Sequence, residues 1–317
     1  MIEFPGAVPF TALQIGMATD CLKGTGVTVV VFPAGARGAA DVSGGAPATR
    51  ETAALAPENL VSGPDAVVLC GGSAFGLQAA DGVAQALRHA RRGFAVGSVR
   101  VPVVAAAAIF DLDYRLPEPP TAEDGRSACQ QALAGALPLP LNGSLGAGTG
   151  ATVGKLLGSH SRMKSGQAAW SLVTADGLEI AVLVVVNAAG SIKSASGTVI
   201  AGPRLDDGKI VDTTQWLTDH SPKLEPGTAT TLGVVATNGY LSKAELARVA
   251  RMAHDGLARA IDPVHTPWDG DTIFAVSYGS HPADTGRTGA LAAYAVSQAI
   301  RHTTSTALQG ANYAGLP

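Results

Sequence analysis

Short apolar runs rich in β-branched residues recur along the whole chain, and they constrain its fold more than any other feature of the sequence. Each run is bounded by glycine, aspartate, asparagine or proline, which is the pattern of a buried β-strand. The runs lie at residues 27–32, 66–69, 180–186, 232–236 and 272–276. We interpret these five segments as buried strands.

Helical patterns lie between these strands. The segment Ser242-Lys-Ala-Glu245 has the spacing of a capping box, and it precedes apolar residues on one helical face: Leu246, Val249, Ala250, Ala253 and Leu257. Residues 76–90 and 288–301 also predict helices. Because strands and helices are mixed along the whole length, the sequence predicts a layered α/β architecture.

Two segments predict little regular secondary structure because they are polar and contain prolines: residues 113–126 and 205–227. The second segment ends in Glu225-Pro-Gly-Thr-Ala-Thr-Thr231 and leads directly into the predicted strand 232–236. Thr230 is therefore predicted to lie where an exposed loop becomes a buried strand.

Composition excludes several classes of function. Only 15% of the 317 residues are charged, the formal net charge is -3, and no basic run is present, so nucleic acid is not an expected partner. No apolar run approaches the roughly 18 residues that span a bilayer, and the N-terminus lacks a secretion signal. We therefore expect a cytoplasmic protein with no membrane partner.

Cysteine and histidine patterns do not predict a metal site. Cys21, Cys70 and Cys129 are widely spaced and are interpreted as buried free thiols. The seven histidines lack the spacing of metal ligands, and His265 is interpreted as a hydrogen-bonded structural residue.

Three familiar glycine-rich motifs fail at required positions. A nucleophile elbow centred on Ser73 needs glycine where the chain has Phe75. A phosphate-binding loop ending at Gly154-Lys155 and a dinucleotide fingerprint starting at Gly146 each lack required residues. The α/β-hydrolase and nucleotide-binding classes are therefore rejected.

The order and spacing of several other motifs carry a resemblance that covers nearly the whole chain. These are Phe32-Pro-Ala-Gly-Ala-Arg37, Gly71-Gly72, Gly146-Ala-Gly148, Gly154-Lys155, Thr230-Thr231, Thr237-Asn238 and His265-Thr-Pro-Trp-Asp-Gly-Asp-Thr-Ile-Phe-Ala-Val276. The chain resembles the self-processing N-terminal-nucleophile family that includes L-aminopeptidase/D-alanine esterase, the β-aminopeptidases and, most similar of all, the nylon-oligomer hydrolase. The resemblance implies a four-layer αββα sandwich, the fold shared with ornithine acetyltransferase.

The resemblance also implies that the chain cuts itself into residues 1–229 and 230–317, which remain two parts of one fold. In the family, the nucleophile lies seven residues before a threonine that is Thr237 here, which selects Thr230 over Thr228 and Thr231. A threonine hydroxyl is a weak nucleophile, and a free α-amine with a pKa near roughly 7.7 can take its proton. Without the resemblance, a hydroxyl residue such as Thr230 at a loop-to-strand junction is more often a turn or capping residue.

The remaining site residues are also implied by the resemblance. Asn187 corresponds to an oxyanion donor, and Lys155 to a lysine whose charge favours the neutral amine and the oxyanion. Asp269 and Asp271 are two residues apart, so an extended segment would place both carboxylates on one face, beside the new amine. By pattern alone, Asn187 is also a strand-ending turn residue, Lys155 a surface lysine, and Asp269-Gly-Asp271 a turn or calcium-loop fragment.

The substrate and assembly are expectations of the same kind. The Asp-Gly-Asp spacing matches the nylon-hydrolase branch, so we expect hydrolysis of linear amides such as 6-aminohexanoate oligomers, with no cofactor and no metal, by a dimer or tetramer. Ala229 departs from the asparagine or glycine that precedes the nucleophile in the family, which predicts slow or incomplete self-cleavage. The alternatives are an aminopeptidase, β-peptidase or D-amino-acid esterase, an acyltransferase, and an unprocessed binding protein.

Overall fold

The computed structural model describes residues 1–135, 141–225 and 227–310. Its strands are β1 Ile2–Pro5, β2 Gln14–Asp20, β3 Thr25–Val31, β4 Arg37–Val42, β5 Thr49–Arg50, β6 Ala66–Cys70, β7 Phe94–Val96, β8 Val99–Val101, β9 Val104–Ala108, β10 Thr152–Val153, β11 Met163–Lys164, β12 Gln167–Val173, β13 Glu179–Asn187, β14 Ser191–Lys193, β15 Val199–Ala201, β16 Thr230–Gly239, β17 Ile261–Asp262 and β18 Thr272–His281. Its helices are α1 Ser73–Gly76, α2 Ala79–His89, α3 Ala122–Leu133, α4 Thr213–Leu217, α5 Lys243–Ala258 and α6 Thr285–Gly310.

Two large sheets form the centre of the molecule. The first has the strand order β1-β12-β13-β16-β18-β4, and its pairs are antiparallel except for β16 with β18. The second has the order β2-β3-β6-β9-β5, and its pairs are antiparallel except for β6 with β9. Each sheet therefore contains one parallel pair, whose two strands start at the same end.

Period-two alternation directs the side chains of each strand to two different layers. In β16, Leu232 and Val234 pack in the core between the two sheets, whereas Val235 packs in the core formed with α5 and α6. In β3, Val30 enters the core between the sheets, and Val29 packs in the core that contains residues of α2 and α3. Each such buried aliphatic side chain contributes about 1.5–3 kcal/mol.

The layers therefore follow the order helix, sheet, sheet, helix. This arrangement confirms the predicted αββα sandwich. The five predicted strands all form, and β16 is longer than predicted because it already begins at Thr230. The capping box of α5 is present, since Ser242 Oγ accepts from the Glu245 N–H and a Glu245 carboxylate oxygen accepts from the Ser242 N–H at 2.7 Å.

The predicted loops are partly wrong. The segment 113–126 contains the start of α3, where Thr121 and Asp124 form a capping box that the neighbouring prolines concealed. The segment 205–227 contains the short helix α4, capped by Asp212; its residue 226 lies outside the described residues. The prediction of three buried thiols is also wrong in part, because Cys21 is exposed while Cys70 and Cys129 are buried.

Membrane-spanning helices were also assessed. Among the helices of the described residues, none is both long enough and apolar enough to cross a membrane.

Candidate active site

The start of β16 lies beside two segments that are distant in sequence. β13 runs antiparallel to β16, so the last residue of β13, Asn187, pairs with the first residue of β16, Thr230. β18 runs parallel to β16, with Leu232 opposite Thr272, so the loop that precedes β18 lies next to the loop that precedes β16. Sheet topology thus brings residues near 187, 230 and 270 together.

The peptide bond between Ala229 and Thr230 is buried at this junction. Ala229 is fully buried, and Thr230 is 3% exposed. The Thr230 Oγ1 atom lies 2.5 Å from the Ala229 carbonyl oxygen, and that oxygen also accepts from the Gly270 N–H at 2.9 Å. The hydroxyl is therefore adjacent to the carbonyl that it would attack, and a backbone donor already contacts the oxygen where negative charge would develop.

Glycine is required at position 270 by the close approach of its neighbours. A Cβ atom built on Gly270 would lie 2.8 Å from Thr230 Oγ1 and 2.8 Å from the Ala46 carbonyl oxygen. Ala46 is held in place because its N–H donates to the Asp269 carbonyl at 2.8 Å. The glycine between the two aspartates thus allows its backbone N–H to reach the Ala229 carbonyl.

Lys155 is buried in the site, with 4% exposure, so it is not the solvated surface lysine of the alternative interpretation. Its Nζ atom donates to Asn187 Oδ1 at 2.6 Å, to the Asn187 carbonyl at 3.2 Å and to the Thr228 carbonyl at 2.7 Å. Lys155 therefore connects the end of β13 to the residue two positions before Thr230.

Burial lowers the pKa of Lys155 to about 7, against the opposing effect of the negative charges of Asp113 and Asp269. A fully solvated lysine would hold its proton firmly at neutral pH. A lysine with a pKa near 7 can both carry and release a proton there.

Asn187 uses its whole side chain within the site. Its Oδ1 accepts from Lys155 and from the Thr152 N–H at 3.0 Å, and its Nδ2 donates to the Phe110 carbonyl at 3.0 Å. In the intact chain the amide donor is thus engaged with Phe110, close to the junction but not with the Ala229 carbonyl.

The two carboxylates are buried on the loop before β18. Asp271 accepts from the Thr231 N–H at 2.6 Å, whereas Asp269 accepts from Thr266 Oγ1 at 2.5 Å and from the Ala189 N–H at 3.4 Å. Burial, together with the charge of Asp271, raises the pKa of Asp269 to about 6. Asp271 therefore fixes the second residue of β16, and Asp269 fixes the loop beside Ala229.

Two residues near the junction were not singled out from the sequence. Gly270 was treated only as the spacer between two aspartates. Asp111 follows the alanine-rich strand β9, accepts from the Gly72 N–H at 2.7 Å, and has its pKa raised to about 6 by burial. An alanine run does not have the β-branched character of a strand, so no local pattern predicts a buried carboxylate at its end.

Within the ranges that the structure describes, no group of three or more histidine, cysteine, aspartate or glutamate side chains could hold a metal ion.

Comparison with known proteins places the chain in a family. The model of peptidase family S58 matches residues 11–314, which is nearly the whole chain. The chain belongs to peptidase family S58. An S58 assignment agrees with the resemblance that the sequence motifs carried.

Individual relatives of this S58 chain differ in their names. An uncharacterized aminopeptidase of Mycobacterium tuberculosis is 41% identical over 268 residues, which cover 80% of this chain and 74% of that protein. The 6-aminohexanoate-oligomer endohydrolase of Agromyces sp. is 32% identical over 284 residues, which cover 87% of this chain and 74% of that enzyme. The chain is therefore similar to proteins named for two different amide substrates.

The fold of the S58 chain also matches solved structures. The L-aminopeptidase D-Ala-esterase/amidase from Ochrobactrum anthropi, described as a variant among the N-terminal-nucleophile hydrolase fold, superposes with a TM-score of 0.63. The match covers 93% of this chain and 84% of that protein at 16% sequence identity. The αββα sandwich is thus of the N-terminal-nucleophile hydrolase type.

Proposed function

We propose that this S58 protein cuts its own chain between Ala229 and Thr230 and then uses Thr230 as an N-terminal nucleophile to hydrolyse linear amides. The observation that carries the proposal is the geometry of one peptide bond. The hydroxyl of Thr230 lies 2.5 Å from the Ala229 carbonyl oxygen, which also accepts from Gly270 N–H. Membership of a peptidase family makes a hydrolase of amide bonds the general class.

Self-cleavage would proceed through an ester. Thr230 Oγ1 attacks the Ala229 carbonyl carbon, the bond from that carbon to the Thr230 nitrogen breaks, and the hydroxyl proton passes to the nitrogen to give an amine. Water then hydrolyses the ester, which leaves a carboxylate on Ala229 and restores the Thr230 hydroxyl. The Gly270 N–H is placed to stabilise the oxyanion in the first step.

The new amine provides the base for substrate hydrolysis. An α-amine with a pKa of roughly 7.7 accepts the hydroxyl proton as Thr230 attacks the substrate carbonyl. Lys155 lies within hydrogen-bonding distance of Asn187 and Thr228, so its charge favours the neutral amine and the oxyanion. Asp269 and Asp271 would orient the amine by accepting hydrogen bonds from it.

Asn187 completes the proposed machinery. It pairs with Thr230 in the sheet, so its side-chain amide would donate to the oxyanion of a substrate once Nδ2 turns away from the Phe110 carbonyl. One such donor contributes roughly 3–4 kcal/mol to transition-state stabilisation. An Asn187→Ala variant is therefore expected to lose hydrolysis of added substrate.

The substrate class that we favour is linear amides such as 6-aminohexanoate oligomers. The Asp269-Gly-Asp271 spacing and the 32% identity to the Agromyces endohydrolase support this choice. The second candidate is an aminopeptidase, which the 41% identity to the mycobacterial protein supports. Oligomers with a free and with a blocked amino end separate the two, because an aminopeptidase requires the free amine.

The intact mass of the purified protein under denaturing conditions tests the self-cleavage. We expect two fragments, residues 1–229 and 230–317, the second with the N-terminal sequence Thr-Thr-Leu-Gly, and a single whole chain for Thr230→Ala. A wild-type chain that stays whole, or a fragment that begins at Thr228 or Thr231, would contradict the proposal.

A further inference from the structure

His265 holds Asp271 with two donors. Its Nδ1 lies 2.8 Å from Asp271 Oδ2, and its backbone N–H donates to the same oxygen at 3.1 Å. The other oxygen, Oδ1, accepts from the Thr231 N–H at 2.6 Å. One buried carboxylate therefore links His265 to the residue that follows Thr230.

The backbone of His265 is in an unusual conformation. Its φ is 55°, in the left-handed region that glycine and asparagine adopt most readily. This conformation directs both the backbone N–H and the side chain at Asp271. The contacts with Asp271 hold His265 in this conformation, so the surrounding structure fixes its position.

We propose that His265 is a positioning residue for the N-terminal-nucleophile reaction: by donating to Asp271 from both its ring and its backbone, it keeps that carboxylate directed at the start of β16. The inference rests on the proposed function, because Thr230 is the nucleophile that β16 presents. His265 touches neither Thr230 nor the Ala229 carbonyl, and it acts through Asp271.

The charges around His265 come from three elements. The loop before β18 provides Asp271 and Asp269. Helix α5 provides the ring of His254, which packs edge-on against His265 with ring centroids 4.7 Å apart. Strand β4 provides Asp41, which pairs with Arg251. Burial acts to lower the pKa of His265, but the hydrogen bond and negative charge of Asp271 outweigh it and the pKa is raised.

The pKa of His254 shifts in the opposite direction. Burial and the neighbouring His265 lower its pKa, although Asp41 and Asp271 oppose this. Its Nε2 contacts the Asp41 carbonyl at 3.2 Å, which a neutral ring can do as a donor. Of the two rings, His265 is therefore the one that keeps its second proton to higher pH.

The test compares His265→Asn with His265→Ala. Asparagine tolerates the left-handed backbone and offers an amide donor near the position of Nδ1 but no charge, whereas alanine offers no side-chain donor. Self-cleavage is followed by mass spectrometry, and hydrolysis of a 6-aminohexanoate oligomer gives kcat and KM across pH. His89→Asn, an exposed histidine at the end of α2, is the matched control.

Loss of one hydrogen bond to a buried carboxylate is expected to lower kcat of His265→Ala by roughly 10- to 100-fold, with a smaller change in KM. His265→Asn should recover about tenfold over His265→Ala. The acid limb of its pH profile should move to higher pH, because His265, whose pKa is raised, carries its positive charge on that limb, and removing this charge raises the pKa of Asp269.

Three results would overturn the inference. They are an asparagine variant that folds but is as slow as the alanine variant, an alanine variant with wild-type rate, and an asparagine variant whose acid limb does not move. Thermal melting of each variant verifies folding. If the wild-type chain cuts itself but the variants give one of these three results, only the role of His265 is wrong. If the wild-type chain stays whole, the proposed function is wrong as well.

Discussion

The substitution Gly270→Ala tests the proposed self-cleavage without changing any ionisable group. The added Cβ would lie 2.8 Å from both Thr230 Oγ1 and the Ala46 carbonyl oxygen. An ordinary contact begins at 3.4 Å, so the loop must move by about 0.6 Å. Such a shift moves Gly270 away from Ala229. The distance from the Gly270 nitrogen to the Ala229 carbonyl oxygen then rises from 2.9 Å to about the limit of a hydrogen bond.

The expected consequence is slow self-cleavage in a folded protein. Removal of one oxyanion donor costs about 10²- to 10³-fold in rate, and overpacking of a buried site costs about 1–3 kcal/mol of stability. The chain is synthesised in a cell-free system, and samples taken over time are separated on a denaturing gel. The ratio of the fragment 230–317 to the whole chain gives the rate.

Gly286→Ala provides the control for Gly270→Ala. Gly286 lies in the first turn of α6, and an added Cβ there would lie 3.3 Å from the Asp284 side chain, away from the site. This variant should cleave at the wild-type rate. If Gly270→Ala melts as a folded protein and also cleaves at the wild-type rate, the Gly270 N–H does not stabilise the oxyanion.

Four further predictions concern the same site. Thr230→Ala should leave one whole chain while Thr231→Ala still cleaves, as mass spectrometry of the two variants will show. Ala229 is fully buried, so Ala229→Asn should cleave more slowly than Ala229→Gly on the same gel assay; equal and unchanged rates would argue against this junction. The pKa of Lys155 falls to about 7 in the folded protein, so between about pH 7 and 10 the unfolded chain binds more protons and the contribution of Lys155 to stability rises with pH. Melting temperatures are measured from pH 7 to 9, with both proteins in the uncleaved Thr230→Ala background. They should therefore rise less for Lys155→Met than for the chain that keeps Lys155. An equal rise in the two proteins would contradict the lowered pKa of Lys155. The pKa of Asp269 is raised to about 6, so hydrolysis should decline as the pH falls through that value, which a pH profile of kcat measures.

Local patterns predicted the strands with dense β-branched runs, but not the other strands that the structure describes. The β-branched runs of β3, β6, β13, β16 and β18 are short, bounded and apolar, and a buried strand is the structure that satisfies them. The capping box at Ser242 and Glu245 predicted the start of α5, because the two side chains accept hydrogen bonds from backbone N–H groups at that end of the helix. β9 was missed because its alanines have no β-branched signal, and the start of α3 was missed because neighbouring prolines outweighed its capping residues.

The sequence by itself determined the layered α/β architecture, and the register of the family motifs predicts Thr230 among three neighbouring threonines. Only the tertiary structure decided that Lys155 is buried against Asn187, that Gly270 contacts the Ala229 carbonyl, and that His265 holds Asp271. The physical reason is the pairing of β16 with an antiparallel and a parallel neighbour. That pairing joins segments far apart in the chain, and no local pattern of side chains records which distant segments will meet.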